Sequence, residues 1–207
     1  RRYQPNRRNP PTGMVEQRLE NRLNQNDIAR ALNLEIACDE SRGEIPVIAG
    51  VGANATWKAV ESAREAESLG ADALLVLAPY YNKPTQEGIY RHFRAVARES
   101  RLPIAVYNIP GRTAVNIEPK TLARLAKDFP TIVAVKEAAG SLDQVSEILS
   151  LTRSTFAVLS GDDGLTLPMM AVGAKGVVSV VANVAPKETQ ALCAAAQRAH
   201  LLDEPAV

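Results

Sequence analysis

From residue 45 onward, short apolar runs alternate with amphipathic stretches at intervals of about 20 to 30 residues, the spacing of repeated βα units. The runs are IPVIAGVG (45–52), ADALLVLAPYY (71–81), LPIAVYNIP (102–110), TIVAVKEA (131–138), FAVLSGDD (156–163) and KGVVSVVAN (175–183). Each is nearly all apolar, which predicts a parallel strand buried on both faces. Helix punctuation lies between them. Pro119 suits a first helical turn, Ser141 and Gln144 stand at capping-box spacing, and Gly70 and Gly173 read as C-terminal stops.

A βαβα order demands a parallel sheet, and right-handed crossovers leave two main choices, an open doubly wound sheet or a closed barrel. A dinucleotide-binding sheet carries G-x-G-x-x-G after its first strand. GVGANA (50–55) has no third glycine at the helix start, so the expected fold is α/β of the TIM (β/α)8 type. Such barrels usually need about 250 residues. With 207 residues and six recognisable βα units, the expected barrel is incomplete.

Residues 1–44 differ from the rest. RRYQPNRRNPPTG is basic and proline-rich, and Val15, Leu19, Leu23, Ile28, Ala31 and Leu32 can line one face of a helix. The expected organisation is therefore an extension with one helix over 1–44 and a partial barrel over 45–207. The arginine cluster is too short for a nucleic-acid arm, and no function is assigned to it.

Composition narrows the function classes. At 46% hydrophobic and 23% charged, the chain has the balance of an ordinary globular domain. Net charge is +1 with the cations scattered, so the expected partner is a small molecule rather than nucleic acid. Cys38 and Cys193 stand far apart, which argues against a zinc site or disulfide framework and fits a reducing, cytoplasmic setting. No apolar run approaches the roughly 18 residues of a membrane span, and no leader pattern is visible.

In such barrels catalytic groups sit at the C-terminal strand ends. Those positions carry Asn54, Tyr80, Tyr81, Tyr107, Asn108, Arg112, Lys136, Glu137, Gly161, Asp162, Asp163 and Asn183, so polar groups are expected to converge on one rim. Lys136 follows Ile132, Val133, Ala134 and Val135, which places it at the end of a buried strand. A lysine kept from water attacks a carbonyl and forms an imine, whose nitrogen then withdraws electrons. The alternative is a solvated lysine or an ion pair with Glu137. Tyr107 offers a phenol for proton transfer or simply packs, and Arg112 offers a fork for a carboxylate or is merely solvated. Asp162 and Asp163, with no histidine nearby, read as a turn or cap rather than a metal site.

The strings PVIAGVGANAT, PYYNKPTQEG, YNIPGRT, VKEAAG, LSGDD and GVVSVVANVAP stand in one order from about Ile45 to about His200. In this order they resemble the 4-hydroxy-tetrahydrodipicolinate synthases, within the pyruvate-dependent aldolase and N-acetylneuraminate lyase superfamily. The resemblance implies a cytoplasmic lyase of lysine and diaminopimelate biosynthesis that condenses pyruvate, held as an imine on Lys136, with L-aspartate 4-semialdehyde. It implies no cofactor or metal. Tyr107 would shuttle protons, Arg112 would bind the aldehyde's carboxylate, and Gly161 and Val178 would line the pyruvate pocket. Tyr81 would reach into a neighbouring subunit's site, implying a homodimer or homotetramer.

Asn54 and Tyr80 match allosteric-site positions for lysine. Lys58 stands where inhibited enzymes often carry an acid, so weak or absent inhibition is expected. The family's first strand, with its T-P-F or T-P-M segment, and its second, ending G-T-T-G-E-S, find no match in residues 1–44. Thr12 and Gly13 take no role, and the C-terminal helical domain is likewise unmatched. Alternatives are a related 2-oxo-acid aldolase and a family fragment without activity.

Overall fold

The computed structural model describes residues 25–41 and 43–202. Helix α1 (Gln25–Ser41) precedes β1 (Ile48–Gly50), α2 (Thr56–Ser68), β2 (Ala73–Leu77), α3 (Gln86–Glu99) and β3 (Ile104–Asn108). A short α4 (Pro110–Thr113), α5 (Pro119–Asp128), β4 (Ile132–Glu137), α6 (Leu142–Leu151), β5 (Ala157–Ser160), α7 (Thr166–Ala171), β6 (Gly176–Val177) and α8 (Pro186–Leu202) follow. Every strand falls inside one of the six apolar runs. Val15, Leu19, Leu23 and the proline-rich stretch before them lie outside the described residues.

The strands pair in parallel in the order β1-β2-β3-β4-β5-β6. A doubly wound sheet reverses its order at a switch point and puts helices on both faces. Here the order never reverses and successive helices touch one another, α2 on α3, α3 on α5 and α5 on α6, so they cover one face. The result is a curled half-barrel, an arc of the expected TIM barrel.

The helix-covered face holds the core. Leu74, Val76, Ile104, Val106, Ile132, Val135 and Val158 point into it and are fully buried beneath Ile89, Phe93, Leu122, Leu125 and Ile148 of the helices. The concave face, mostly apolar, is only half-buried, and Ile48 at the β1 edge is 53% exposed. Burial on both faces, as the apolar runs predict, is thus met on the helix side alone among the described residues.

Local sequence explains the helix ends. Gly70 and Gly173 adopt φ of +90° and +117°, and the amides of Ala71 and Ala174 reach back to Ala66 and Met169 carbonyls at 3.1 and 3.0 Å. These are Schellman stops, which favour glycine because a Cβ is strained in the left-handed region. Pro119 opens α5 as expected. Only half of the expected capping box forms: Ser141 Oγ accepts from the Gln144 amide, while the Gln144 side chain bonds elsewhere. The second glycine of GVGANA has a packing role, since a Cβ on Gly52 would lie 2.1 Å from Leu77 Cδ2.

His92 on α3 is buried, and its Nδ1 lies 3.0 Å from Thr56 Oγ1 at the start of α2. Burial pushes its pKa down from 6.5 to about 4. Between those values the unfolded chain binds a proton that the folded chain refuses, so stability is lost as pH falls through this window. Complete loss corresponds to about 3 kcal/mol. The melting midpoint of the parent should therefore fall relative to His92→Leu as pH drops from 7 to 4; a constant difference would contradict this.

Candidate active site

β3 and β4 carry the central residues, and a bulge decides which way they face. Ile104 pairs with Ile132 but Ala105 pairs with Ala134, leaving Val133 as an extra residue. One inserted residue shifts the side-chain phase of everything after it. Beyond the bulge Tyr107 pairs with Lys136 on the concave face, and Asn108 pairs with Glu137 on the helix face. Lys136 Nζ lies 4.2 Å from the centroid of the Tyr107 ring.

Gly161, just after β5, makes room for that lysine. A Cβ there would sit 3.2 Å from both Cγ and Cε of Lys136 and 2.7 Å from Ala138 Cβ. Val178 continues from β6 beside it, its amide donating to the Ser160 carbonyl at 2.8 Å. Lys136, Tyr107 and Gly161 therefore converge as expected.

Asn108 and Glu137 do not join them, which corrects the expectation of a single polar rim. Side chains alternate along a strand, so the neighbours of Tyr107 and Lys136 point away from them. The same alternation removes the Lys136–Glu137 ion pair considered above. Glu137 is 2% exposed and accepts from the Ala139 amide, Asn108 Nδ2 and Gln144 Nε2. Burial raises its pKa, while these hydrogen bonds oppose the shift.

Arg112 projects from α4 into solvent. Tyr81 is 86% exposed at a φ of +71°, and Tyr80 is also exposed. Among the described residues none of the three makes a hydrogen bond or ring contact with Lys136. Asn54 is linked to this loop through its carbonyl, which accepts from Asn82 Nδ2 at 2.8 Å. Lys58 pairs with Glu61 at 3.2 Å and lies 5.9 Å over Trp57, so its cation is partly offset and repels a ligand less than the sequence suggests.

Asp162 forms the local turn that the sequence suggests, whereas the Asp163 side chain bonds far along the chain instead of capping the next helix. Asp162 Oδ1 accepts from the Gly164 amide at 2.8 Å. Asp163 accepts from Ser179 Oγ and from the Val180 and Val181 amides, and the Ser179 hydrogen bond leads the causes that lower its pKa. These bonds anchor the start of a 3₁₀ turn at Val181–Asn183; β6 is two residues long rather than a full strand, and Asn183 ends the turn instead of the strand.

Sequence reasoning did not find Asn116, Gln144 or Ser179 as partners. Asn116 and Ser179 carry no signal beyond being polar, Gln144 carries only its spacing from Ser141, and the side-chain contacts that join the three to Asn108, Glu137, Asp163 and one another span 7 to 28 positions along the chain.

A model of the Dihydrodipicolinate synthetase family matches residues 22–203. The chain is 55% identical over 162 residues to the 4-hydroxy-tetrahydrodipicolinate synthase of Sulfurihydrogenibium sp., covering 78% of this chain and 55% of that protein. It thus spans about half the length of the curated relatives it matches. Among solved structures, dihydrodipicolinate synthase from Aquifex aeolicus superposes with a TM-score of 0.82 at 44% identity, covering 90% of this chain and 68% of that one. The chloride-inhibited enzyme from Acinetobacter baumannii, complexed with pyruvate, gives 0.79 at 42% identity, with coverages of 82% and 58%.

Proposed function

This chain belongs to the dihydrodipicolinate synthetase family, and from that membership we propose that it is a Schiff-base-forming lyase that condenses pyruvate with L-aspartate 4-semialdehyde. The observation that carries the proposal is the pairing of Lys136 Nζ with the Tyr107 ring on the concave face, in the space left by Gly161. A relative solved with pyruvate, at 42% identity, supports the choice of 2-oxo acid.

In this reading the Lys136 amine attacks the pyruvate ketone. The Tyr107 phenol delivers a proton to the carbinol oxygen, which leaves as water, and the iminium forms. The iminium draws electrons from the neighbouring methyl carbon, which loses a proton to the Tyr107 phenolate left by that step and gives an enamine. That carbon attacks the aldehyde carbon, the Tyr107 phenol returns its proton to the alkoxide that forms, and displacement of the regenerated iminium releases the Lys136 amine; Arg112 binds the aldehyde's carboxylate through its planar fork. The exposure of Arg112 suits a group waiting for an anion.

Tyr81, exposed and held in a left-handed conformation, suits a residue that completes a neighbouring subunit's site. The proposed form is accordingly a cytoplasmic homo-oligomer acting in lysine and diaminopimelate synthesis. No described helix is long and apolar enough to cross a membrane.

The test is the intact mass of the purified chain after incubation with pyruvate and borohydride. A single pyruvyl adduct is expected. A well-folded sample that remains unmodified would overturn the proposal.

A further inference from the structure

Behind the Lys136–Tyr107 pair lies a polar cluster that the reaction above does not use. Glu137 Oε1 accepts from the Ala139 amide at 2.7 Å, both of its oxygens accept from Asn108 Nδ2 at 3.1 and 3.0 Å, and Oε2 accepts from Gln144 Nε2 at 3.1 Å. Asn116 Oδ1 accepts from the same Asn108 and Gln144 amides at 2.8 and 3.2 Å, and its Nδ2 donates to Gln144 Oε1 at 2.8 Å. Asn108 Oδ1 accepts from the Ile117 amide at 3.0 Å. Among the described residues no lysine or arginine pairs with Glu137.

Two features give the cluster a purpose. Every group that bonds the Glu137 carboxylate among the described residues is a donor, so the position calls for a group that only accepts, which a carboxylate does and an amide does not. The cluster also ties both ends of the loop that follows β3, at Asn108 and at Asn116–Ile117. Between those ends stand Arg112 and Ala114, the latter held at a φ of +59° that a non-glycine residue keeps only when its surroundings enforce it. Gln86 at the start of α3 adds an outer anchor, donating to the Asn116 carbonyl and accepting from the Glu118 amide.

We propose that Glu137 is a positioning residue, whose buried carboxylate locks the loop after β3 against β4 and thereby holds Tyr107 beside the Lys136 amine. The register supplies the lever: Asn108–Glu137 and Tyr107–Lys136 are adjacent paired positions on opposite faces of the same two strands. This inference rests on the Schiff-base reading of Lys136.

Glu137→Gln keeps the shape and puts an NH2 where an oxygen was. Whichever way the amide turns, that NH2 faces a donor, either Ala139 and Asn108 or Asn108 and Gln144. Adding Gln144→Glu swaps the carboxylate across the cluster and restores a donor–acceptor match at that pair.

The experiment follows pyruvyl adduct formation over time by borohydride quench and intact mass, at several pyruvate concentrations and well below each melting midpoint. Glu137→Gln should lower the limiting rate at least about tenfold, as small misplacements of reacting groups do, while the half-saturating pyruvate concentration stays within about twofold. The double variant should recover most of the rate. A purely structural residue would lower the melting midpoint without this split or this rescue. An unchanged limiting rate, or a loss that the swap does not recover, overturns the proposal. If Glu137→Gln lacks a cooperative melt, Asn116→Ala must show the same fall in rate. A folded parent chain that forms no adduct sinks the functional reading itself, and that outcome is seen before any variant is measured.

Discussion

Lys136→Ala is expected to leave no detectable pyruvyl adduct after borohydride reduction, while its far-UV spectrum and melting curve stay close to those of the parent. The lysine is half-buried on the concave face, away from the fully buried helix side, so its loss removes chemistry more than packing. Among the described residues, Lys136 is the lysine whose nitrogen lies against the Tyr107 ring. Peptide mapping of the parent adduct should place the added mass on the peptide containing Lys136. Gly161→Val should mimic the defect with the amine still present, since a Cβ at that position already presses within 3.2 Å of Lys136 Cγ and Cε. An adduct of full yield on Lys136→Ala would move the nucleophile elsewhere and dismantle the site described above.

The second large effect is on stability. Phe93 on α3 is fully buried in the core between the helices and the sheet, with the His92 ring edge-on at 5.5 Å. Phe93→Ala should cost about 3–5 kcal/mol, combining lost transfer energy with an unfilled cavity. For a chain of this size that lowers the melting midpoint by roughly 10 °C. Trp57→Ala is the contrast: the side chain is larger but 69% exposed, and its removal should change stability by less than about 0.5 kcal/mol. Denaturant titration of both variants measures the difference. Equal costs would mean that the helix-covered face is not where the core resides.

Much of the site was legible in the chain. Lys136, Tyr107 and Gly161 were each picked out by their position at a strand end, and they converge. Asn108 and Glu137 were picked out by the same rule and placed wrongly. Strand ends can be read from apolar runs, but the face that a side chain takes depends on phase, and a one-residue bulge at Val133 resets that phase. Nothing in IVAVKE marks Val133 as the extra residue. Gln144 shows the same difficulty in a helix, because its spacing from Ser141 predicts a capping box, yet its amide finds the buried Glu137 carboxylate seven positions back.

What the sequence determined by itself is what short-range physics controls: six apolar runs become six parallel strands, and glycines at Gly70 and Gly173 stop their helices with left-handed turns. The motif strings point to the family as well. Only the tertiary structure decided the facing of Glu137 and Asn108, the bonding of Asp163 to residues 179–181, and the half-buried state of the concave surface among the described residues. These outcomes depend on which strands and loops lie side by side. The hydrogen bonds that settle them join residues far apart in the chain, where no local pattern records the partner.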